Sequence, residues 1–136
     1  MRKIDKIVIH HSASPAHSTT IEKVRDWHVN GNGWKDIAYH FCIDRRGIVH
    51  KGRKEKEIGA HTKGHNRHSL GICVFGNFEV EHITKPAYDS LVTMVRRLME
   101  TYSIPKEEVY YHGELKPTKC CGKNLISMFP DLKKQL

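Results

Sequence analysis

The sequence predicts an α/β fold, in which a single domain is built on a central mixed β-sheet flanked by helices. Two observations carry this prediction. Short apolar runs that are typical of buried strands alternate with longer amphipathic patterns, in the order β-α-β-β-β-α-β-α. The length of 136 residues supports one hydrophobic core and leaves no room for a second domain.

The first predicted strand covers residues 4–9 and is followed at once by two histidines. Its apolar residues 7–9 are consecutive, which is typical of a strand that is buried on both faces of a sheet. The strand ends at His10, His11 and Ser12, so polar side chains come where the chain leaves the sheet.

The first predicted helix begins after Thr19 or Thr20, either of which is a suitable capping residue. Glu22 in the first turn suits the positive end of the helix dipole, and the glycines of residues 30–33 end the helix. The residues that share its apolar side are Ile21, Val24, Trp27 and His28. We therefore expect Trp27 to pack on the core face of this helix.

The middle of the chain predicts a hairpin and a second buried strand. Residues 37–44 are rich in aromatic and β-branched side chains, residues 45–47 form a turn, and residues 48–50 continue as extended chain. Residues 58–68 are polar and contain glycine, which indicates an ordered loop. The apolar run at residues 70–75 predicts the next strand.

The longest helix is predicted after Thr84, with Pro86 in its first turn and Pro105 beyond its end. Apolar residues recur there at steps of three and four, which is typical of an amphipathic core helix. These residues are Tyr88, Leu91, Val92, Val95, Leu98, Met99 and Tyr102.

The C-terminal part is predicted to hold one short strand, a loop and a last helical turn. Residues 109–111 form the strand, which leads directly into His112. Residues 113–123 are expected to form a loop, and residues 124–132 the helical turn.

Composition excludes several classes of protein. No apolar run approaches the roughly 20 residues that cross a bilayer, and the short apolar segment after Met1 is no signal peptide. We therefore expect synthesis in the cytoplasm without a signal peptide, and no membrane insertion.

The chain is basic, with 23 Lys and Arg against 15 Asp and Glu, which gives a net charge of +8. Such a charge could attract nucleic acid, anionic lipid or an anionic wall polymer, or it could simply keep the protein soluble. Because the basic residues are scattered and no nucleic-acid-binding motif is present, we expect no nucleic-acid partner.

Three residues at predicted strand ends or in the following loop could carry chemistry: His10, His112 and Cys120. Two imidazoles and one thiolate would leave one position open on a tetrahedral zinc ion, the arrangement of a catalytic site. With eleven histidines in the chain, any single one is more often a surface residue than a ligand. His10 and His11 must face opposite sides of a strand, and periodicity does not decide which of them would be the ligand.

Several motifs in register resemble one family, the type 2 N-acetylmuramoyl-L-alanine amidases, which include phage lysozyme-type amidases and peptidoglycan recognition proteins. The similarity runs in order from about Ile7 to Cys120. The motifs are IVIHHS at 7–12, WH at 27–28, GWKDIAYHF at 33–41, GAHT at 59–62 with Asn66, SLGI at 69–72, GNF at 76–78, and His112 with PTKC at 117–120.

This resemblance implies that residues 1–136 form a single zinc amidase domain similar to peptidoglycan recognition proteins, with its zinc site at strand ends and adjoining loops. It implies His10, rather than His11, as the first zinc ligand, with His112 and Cys120 as the others.

The resemblance also implies how the reaction would proceed. Tyr39 corresponds to a catalytic tyrosine that would stabilise the developing oxyanion, and Thr118 would assist it through its hydroxyl. Zinc would polarise the amide between N-acetylmuramic acid and L-alanine and supply hydroxide to attack it. The proton donor to the leaving amine is unassigned; a water proton passed through Tyr39 is the simplest hypothesis.

The resemblance also implies a groove for the stem peptide, and its other expected substrate-binding residues are His28, Trp34, His61 and Asn66. The Gly33-Trp34 pair goes with meso-diaminopimelate in recognition proteins, although it also suits a tight turn and core packing. The remaining histidines are interpreted as surface or packing residues, namely His17, His40, His50, His65, His68 and His82.

Two departures from the family pattern concern the site. Cys121 stands where proline is frequent, which adds a second thiol that could oxidise or compete for metal. Glu114 stands where aspartate is frequent, so support of the site from that position would need the longer side chain. Cys42 and Cys73 lie in predicted core strands and are expected to be buried free thiols, with a bridge open to them only if their strands are neighbours.

The leading hypothesis is an endolysin-like enzyme that acts as a monomer on peptidoglycan, reaches the wall after release or delivery, and recognises the stem peptide and muramic acid. The basic surface would help attraction to the anionic wall. A second hypothesis is a muropeptide-binding module without activity. A third is a cysteine peptidase acting on wall peptides, in which Cys120 is the nucleophile and His112 its base.

Overall fold

The computed structural model describes residues 2–136 and shows a mixed five-stranded sheet with helices on both faces, which confirms the predicted fold class. The strands are β1 (Lys6–His11), β2 (Phe41–Ile43), β3 (Val49–Lys51), β4 (Ser69–Val74) and β5 (Val109–Tyr111). The α-helices are α1 (Ile21–Asp26), α2 (Lys85–Tyr102), α3 (His112–Leu115), α4 (Lys123–Ile126) and α5 (Phe129–Lys134). A π-helical turn (Trp27–Gly31) extends α1, and short 3₁₀ turns lie at Asn66–His68 and Lys106–Glu108.

The sheet has the order β3-β2-β4-β1-β5. β1 is parallel to both β4 and β5, β4 is parallel to β2, and only the β2–β3 hairpin is antiparallel. The carboxyl ends of the four parallel strands therefore meet at one edge of the sheet. A site at this edge can take residues from strands far apart in sequence.

Side-chain alternation divides the core between the two faces of the sheet. On one face, Ile7, Ile9 and Leu70 pack with the apolar side of α2. On the other face, Cys42 and Cys73 pack with Ile21 and Val24 of α1. We call this second face the α1 face. His10 pairs with Cys73 and so lies on this face, whereas His11 lies on the α2 side and stacks on Phe78.

Helix caps follow the sequence signals. Thr20, rather than Thr19, caps α1, because its hydroxyl accepts a hydrogen bond from the backbone N–H of Lys23. Thr84 caps α2 by accepting from Ala87 N–H, as predicted.

The structure corrects several predicted boundaries. β1 starts two residues later than predicted and includes both histidines. Only Phe41–Ile43 of the predicted strand at 37–44 is regular, because residues 38 and 39 bond to loop segments instead: Ala60 N–H donates to Ala38 O, and Arg53 N–H donates to Tyr39 O. The predicted loop at 113–123 begins with helix α3, and the last helical turn is two short helices.

Trp27 does not pack on the core face of the first helix, so that prediction is wrong. Its side chain is 44% exposed, whereas Ile21 and Val24 are buried. The helix changes to a π turn at Trp27. The backbone N–H of Trp27 still bonds to Lys23 O as in an α-helix. At about 100° per residue, its side chain lies about 120° around the helix from Ile21, at the edge of the apolar stripe.

None of the helices formed by residues 2–136 has both the length and the apolar character needed to cross a bilayer.

Candidate active site

Strand register places two site residues, His10 and His112, side by side on the α1 face. His10 of β1 pairs with Cys73 of β4, which in turn pairs with Cys42 of β2. On the other side of β1, Ile9 pairs with Tyr111 of β5, so His112 follows directly beside His10. Paired residues of parallel strands point to the same face, which is why the two histidines meet although they are about a hundred residues apart in the chain.

His10, His112 and Cys120 form a cluster whose nitrogen and sulfur atoms lie within 4.8 Å of one another. The two imidazole rings have centroids 4.6 Å apart, and Cys120 Sγ lies 3.7 Å from His10 Nδ1. The backbone N–H of His11 donates to Cys120 Sγ over 3.3 Å, which fixes the sulfur over the end of β1.

The loop that carries Cys120 is folded back against the start of α3. Gly113 N–H donates to Cys120 O over 2.7 Å. A Cβ on Gly113 would lie 2.9 Å from Thr118 O and 3.0 Å from Cys120 O, which is closer than almost all real Cβ contacts. Glycine at this position therefore allows the cysteine to approach the histidines.

The electrostatics of the cluster favour neutral imidazoles. Burial lowers the pKa of His10 well below its usual value, and the neighbouring His61 and His112 lower it further. Burial also lowers the pKa of His112, with a contribution from Lys116. Burial raises the pKa of the Cys120 thiol to about 12. The imidazole lone pairs are therefore available to a cation, and a bound cation would be what stabilises the thiolate.

These donors fit zinc by their chemistry. Two neutral imidazole nitrogens and one sulfur are ligands that Zn²⁺ prefers, and three of them leave a coordination position free for a reactant. Among residues 2–136, this is the one group of histidines, cysteines and carboxylates close enough to hold a metal ion.

The cluster lies at the floor of a cavity of about 580 Å³. One wall is aromatic: the His28 ring lies 5.1 Å from Trp34 and 5.6 Å from Tyr39, and Tyr39 lies 5.1 Å from His10. Trp34 is 38% exposed, so it offers ring surface to a ligand. This wall is suited to packing against the aliphatic parts of a peptide.

His28 and Tyr39 both line this cavity, and each keeps a proton that it can donate in a hydrogen bond. His28 Nδ1 accepts the backbone N–H of Ala38 over 3.0 Å, which leaves Nε2 to carry the proton of the neutral ring. Burial raises the pKa of Tyr39 well above 10, with the Cys73 thiol contributing. Tyr39 therefore keeps its phenolic proton at neutral pH.

Thr118 belongs to the cavity, whereas Glu114 caps a helix. Thr118 lines the cavity and is exposed, and its hydroxyl accepts from Cys120 N–H over 3.3 Å. Glu114 does not support His112; its carboxylate accepts the backbone N–H of Tyr111 over 3.0 Å and so caps α3.

The cysteines outside the cluster belong to the core. Cys121 is fully buried in the cluster of apolar residues on the α2 side and does not join the group of metal-ligand candidates. Cys42 and Cys73 face each other across β2 and β4, and both are buried free thiols, as expected.

Two of the residues expected to bind substrate are directed inward. His61 is 93% buried, although it borders the cavity, and its Nδ1 lies 2.9 Å from His10 Nε2. Asn66 Oδ1 accepts the backbone N–H groups of His61 and Thr62 over 3.0 and 2.8 Å. His28 and Trp34 border the cavity directly.

Sequence reasoning missed the polar support beneath His10, which Thr62 and Ser69 complete. The motifs GAHT and SLGI contain these residues, but no local pattern indicates that a loop residue and a strand residue meet His61 from two sides. Tertiary pairing alone reveals this contact.

The chain is similar to known proteins in sequence and in fold. A family profile described as N-acetylmuramoyl-L-alanine amidase matches residues 1–123. The endolysin of Escherichia phage T7 is 33% identical over 122 residues, which cover 85% of this chain and 79% of that protein. Peptidoglycan-recognition protein LB of Drosophila melanogaster is 30% identical over 129 residues, which cover 89% of this chain and 56% of that protein. The structure of N-acetylmuramoyl-L-alanine amidase LysC from Clostridium intestinale superposes with a TM-score of 0.90 at 32% identity, over 98% of this chain and 85% of that one.

Proposed function

The chain belongs to the N-acetylmuramoyl-L-alanine amidase family, and on that premise we propose that it hydrolyses the amide bond between N-acetylmuramic acid and L-alanine in peptidoglycan, with zinc as cofactor. Membership confirms the resemblance that the sequence motifs indicated. The observation that carries the proposal is the convergence of His10, His112 and Cys120 within 4.8 Å at the floor of an open cavity. A zinc ion bound in such a site would act as a Lewis acid toward the amide carbonyl and would lower the pKa of a water molecule to about 7.

The aromatic wall would hold the stem peptide. Trp34 offers an exposed ring face to the aliphatic part of the peptide, and His28 Nε2–H can donate to a peptide carbonyl. Together they would orient the scissile amide over the cluster, and orientation of this kind lowers the barrier to reaction.

Tyr39 would stabilise charge in the transition state. Its hydroxyl stays protonated at neutral pH and its ring lies 5.1 Å from the His10 ring, so it would donate a hydrogen bond to the carbonyl oxygen as negative charge develops there. Thr118, which also lines the cavity, would donate a second hydrogen bond.

The cysteine peptidase hypothesis has little support from this geometry. A nucleophilic cysteine needs a lowered pKa or a base in contact with its sulfur, whereas the pKa of Cys120 is raised to about 12. The nitrogen in contact with Sγ belongs to His10, whose other nitrogen is engaged with His61.

The decisive experiment is mass analysis of the products released from purified sacculi by the zinc-loaded protein. We expect free stem peptides that begin with L-alanine, and none from the His10→Ala variant. His82→Ala is the matched control, since His82 is exposed and borders another part of the surface.

Other outcomes would replace the proposal. Cleavage inside the peptide or between sugars would contradict the assigned bond. Binding to sacculi without any product would favour the recognition module. Activity that survives EDTA but not thiol alkylation would favour the cysteine peptidase.

A further inference from the structure

We propose that His61 is a positioning residue for the metal site: with Thr62 it holds the Nε2 proton of His10, so that the Nδ1 lone pair of His10 faces His112 and Cys120. This inference rests on the proposed function, because it concerns how the chain prepares His10 as a ligand. It gives His61 a role different from substrate binding.

The His10 ring is oriented with its Nδ1 toward the other proposed ligands. Nδ1 lies on the side of Cys120, 3.7 Å from its sulfur, so this nitrogen is the one that can coordinate a cation shared with the cysteine. A neutral imidazole has one proton, and a coordinating Nδ1 requires that proton to be on Nε2.

The other ring nitrogen of His10, Nε2, is buried against two polar side chains. His10 Nε2 faces His61 Nδ1 at 2.9 Å and Thr62 Oγ1 at 3.3 Å, and all three residues are at least 93% buried. Water has little access there, so the proton of Nε2 must be received by one of these two atoms.

Ser69 completes the chain of hydrogen bonds. When His61 Nδ1 accepts from His10, the proton of the His61 ring is on Nε2, which lies 3.3 Å from Ser69 Oγ. Thr62 Oγ1 lies 2.9 Å from His61 Nδ1 and 3.3 Å from His10 Nε2, so it can accept the same His10 proton as a second, longer partner. The reverse arrangement, with the proton on His61 Nδ1, would place a proton on His10 Nδ1 and obstruct the metal position.

The fold holds the His61 ring in place from two sides. A Cβ on Gly71 would lie 2.6 Å from the ring, and a Cβ on Gly59 would lie 2.8 Å from it. The imidazole therefore packs directly against two glycines, where no other residue would leave room for it. Asn66 fixes the backbone on the other side by accepting the N–H groups of both His61 and Thr62. A metal-ligating histidine whose second nitrogen is held in this way is typically a better ligand.

The test compares His61→Phe, which keeps a ring but removes the acceptor, with His61→Asn, whose amide oxygen can replace Nδ1. Zinc affinity is measured by competition with a chromophoric chelator. We expect His61→Phe to bind zinc about 10–100-fold more weakly than the parent protein, and His61→Asn to recover most of that loss. His65→Phe is the matched control in the same loop and should bind zinc as the parent does.

Imidazole ¹⁵N–¹H spectra of the metal-free protein give a second readout that does not depend on zinc. We expect a slowly exchanging His10 Nε2–H signal in the parent protein that is lost or exchanges rapidly in His61→Phe. Thr62→Val, which preserves shape, is measured in parallel in case His61→Phe does not fold, and should weaken zinc binding and speed this exchange to a lesser degree.

The two readouts separate failure of the inference from failure of the proposed function. Unchanged zinc affinity in both His61→Phe and Thr62→Val, with an unchanged His10 signal, would overturn the inference. A parent protein that binds no zinc would overturn the proposed cofactor, and the metal-free spectra would then decide the positioning role by themselves.

Discussion

The imidazole ring of His61 lies directly on the backbone of Gly71, at the centre of β4, where any side chain would collide with it. A Cβ at this position would be 2.6 Å from two ring atoms of His61. Gly71 pairs with Val8, two residues before His10 on the neighbouring strand. Because Gly71 of β4 has no side chain, the His61 ring fits against this strand and contacts His10, the proposed zinc ligand in the neighbouring strand β1.

Gly71→Ala should therefore destabilise the protein and disturb the site together. We expect a loss of about 1–3 kcal/mol in the free energy of unfolding, because the added methyl group overpacks a closed core position. Urea unfolding measures this loss, and chelator competition measures the accompanying fall in zinc affinity. Gly31→Ala is the control: no atom lies within 4 Å of its Cβ position, so its stability should change by less than about 0.5 kcal/mol. Equal effects of the two substitutions would contradict the packing argument.

Tyr39→Phe should impair catalysis without impairing metal binding. Removing one donor to a developing oxyanion typically lowers kcat by about 10²–10³-fold, while KM depends on the aromatic surface that phenylalanine preserves. Steady-state kinetics on a soluble muropeptide and the zinc content of the purified variant provide the measurements. Tyr110→Phe is a matched control, because its hydroxyl contacts Glu108 outside the cavity. A kcat within about twofold of the parent value would exclude the proposed role of Tyr39.

Alkylation of Cys120 should be slow in the metal-free protein and strongly pH-dependent. The thiolate is the reactive form, and burial raises the pKa of Cys120 to about 12, so the thiolate fraction rises about tenfold for each pH unit between 7 and 9. Mass spectrometry of iodoacetamide-treated protein gives the rate at each pH. Zinc should protect the sulfur, and Cys120→Ser should lose the modification at that position. Rapid alkylation at pH 7 would show that the thiol is already ionised.

Stability should fall as the solution becomes acidic. Burial lowers the pKa of His40 to about 4, whereas an unfolded histidine titrates near about 6.5. Between these values the unfolded chain binds more protons, so the contribution of His40 is complete above about pH 6.5 and is lost progressively toward pH 4. At pH 5 the loss from His40 alone should be about 2 kcal/mol. Urea unfolding of the zinc-free protein at pH 7.5 and 5 measures it. The pH dependence should be shallower in His40→Gln than in the parent protein; identical slopes in the two proteins would refute this assignment.

Attraction to the cell wall should weaken as salt is added. With a net charge of +8, part of the binding to an anionic polymer comes from charges that salt screens. Sedimentation of zinc-free protein with purified sacculi at about 50 and about 500 mM NaCl tests this expectation. Binding that does not change with salt would mean that the basic surface has no part in reaching the wall.

The sequence by itself determined the fold class, because apolar periodicity and caps are local signals that tertiary contacts reinforced. Thr84 begins α2 as its side-chain chemistry predicts, and the consecutive apolar residues of β1 are buried on both faces. Motifs in register also determined which residues to examine as ligands. The prediction failed at Trp27, because a step of three residues from Val24 places its side chain at the edge of the apolar stripe, where it is exposed.

Tertiary structure alone decided how those residues meet. Strand register brings His10 beside Cys73 and next to His112, and the fold of the loop after α3 brings Cys120 over both histidines. It also decided that Cys121 lies in the core and that His61 contacts His10. The physical reason is that hydrogen bonds and close packing between distant segments depend on their positions in space. Spacing along the chain specifies those positions only within a single helix or strand.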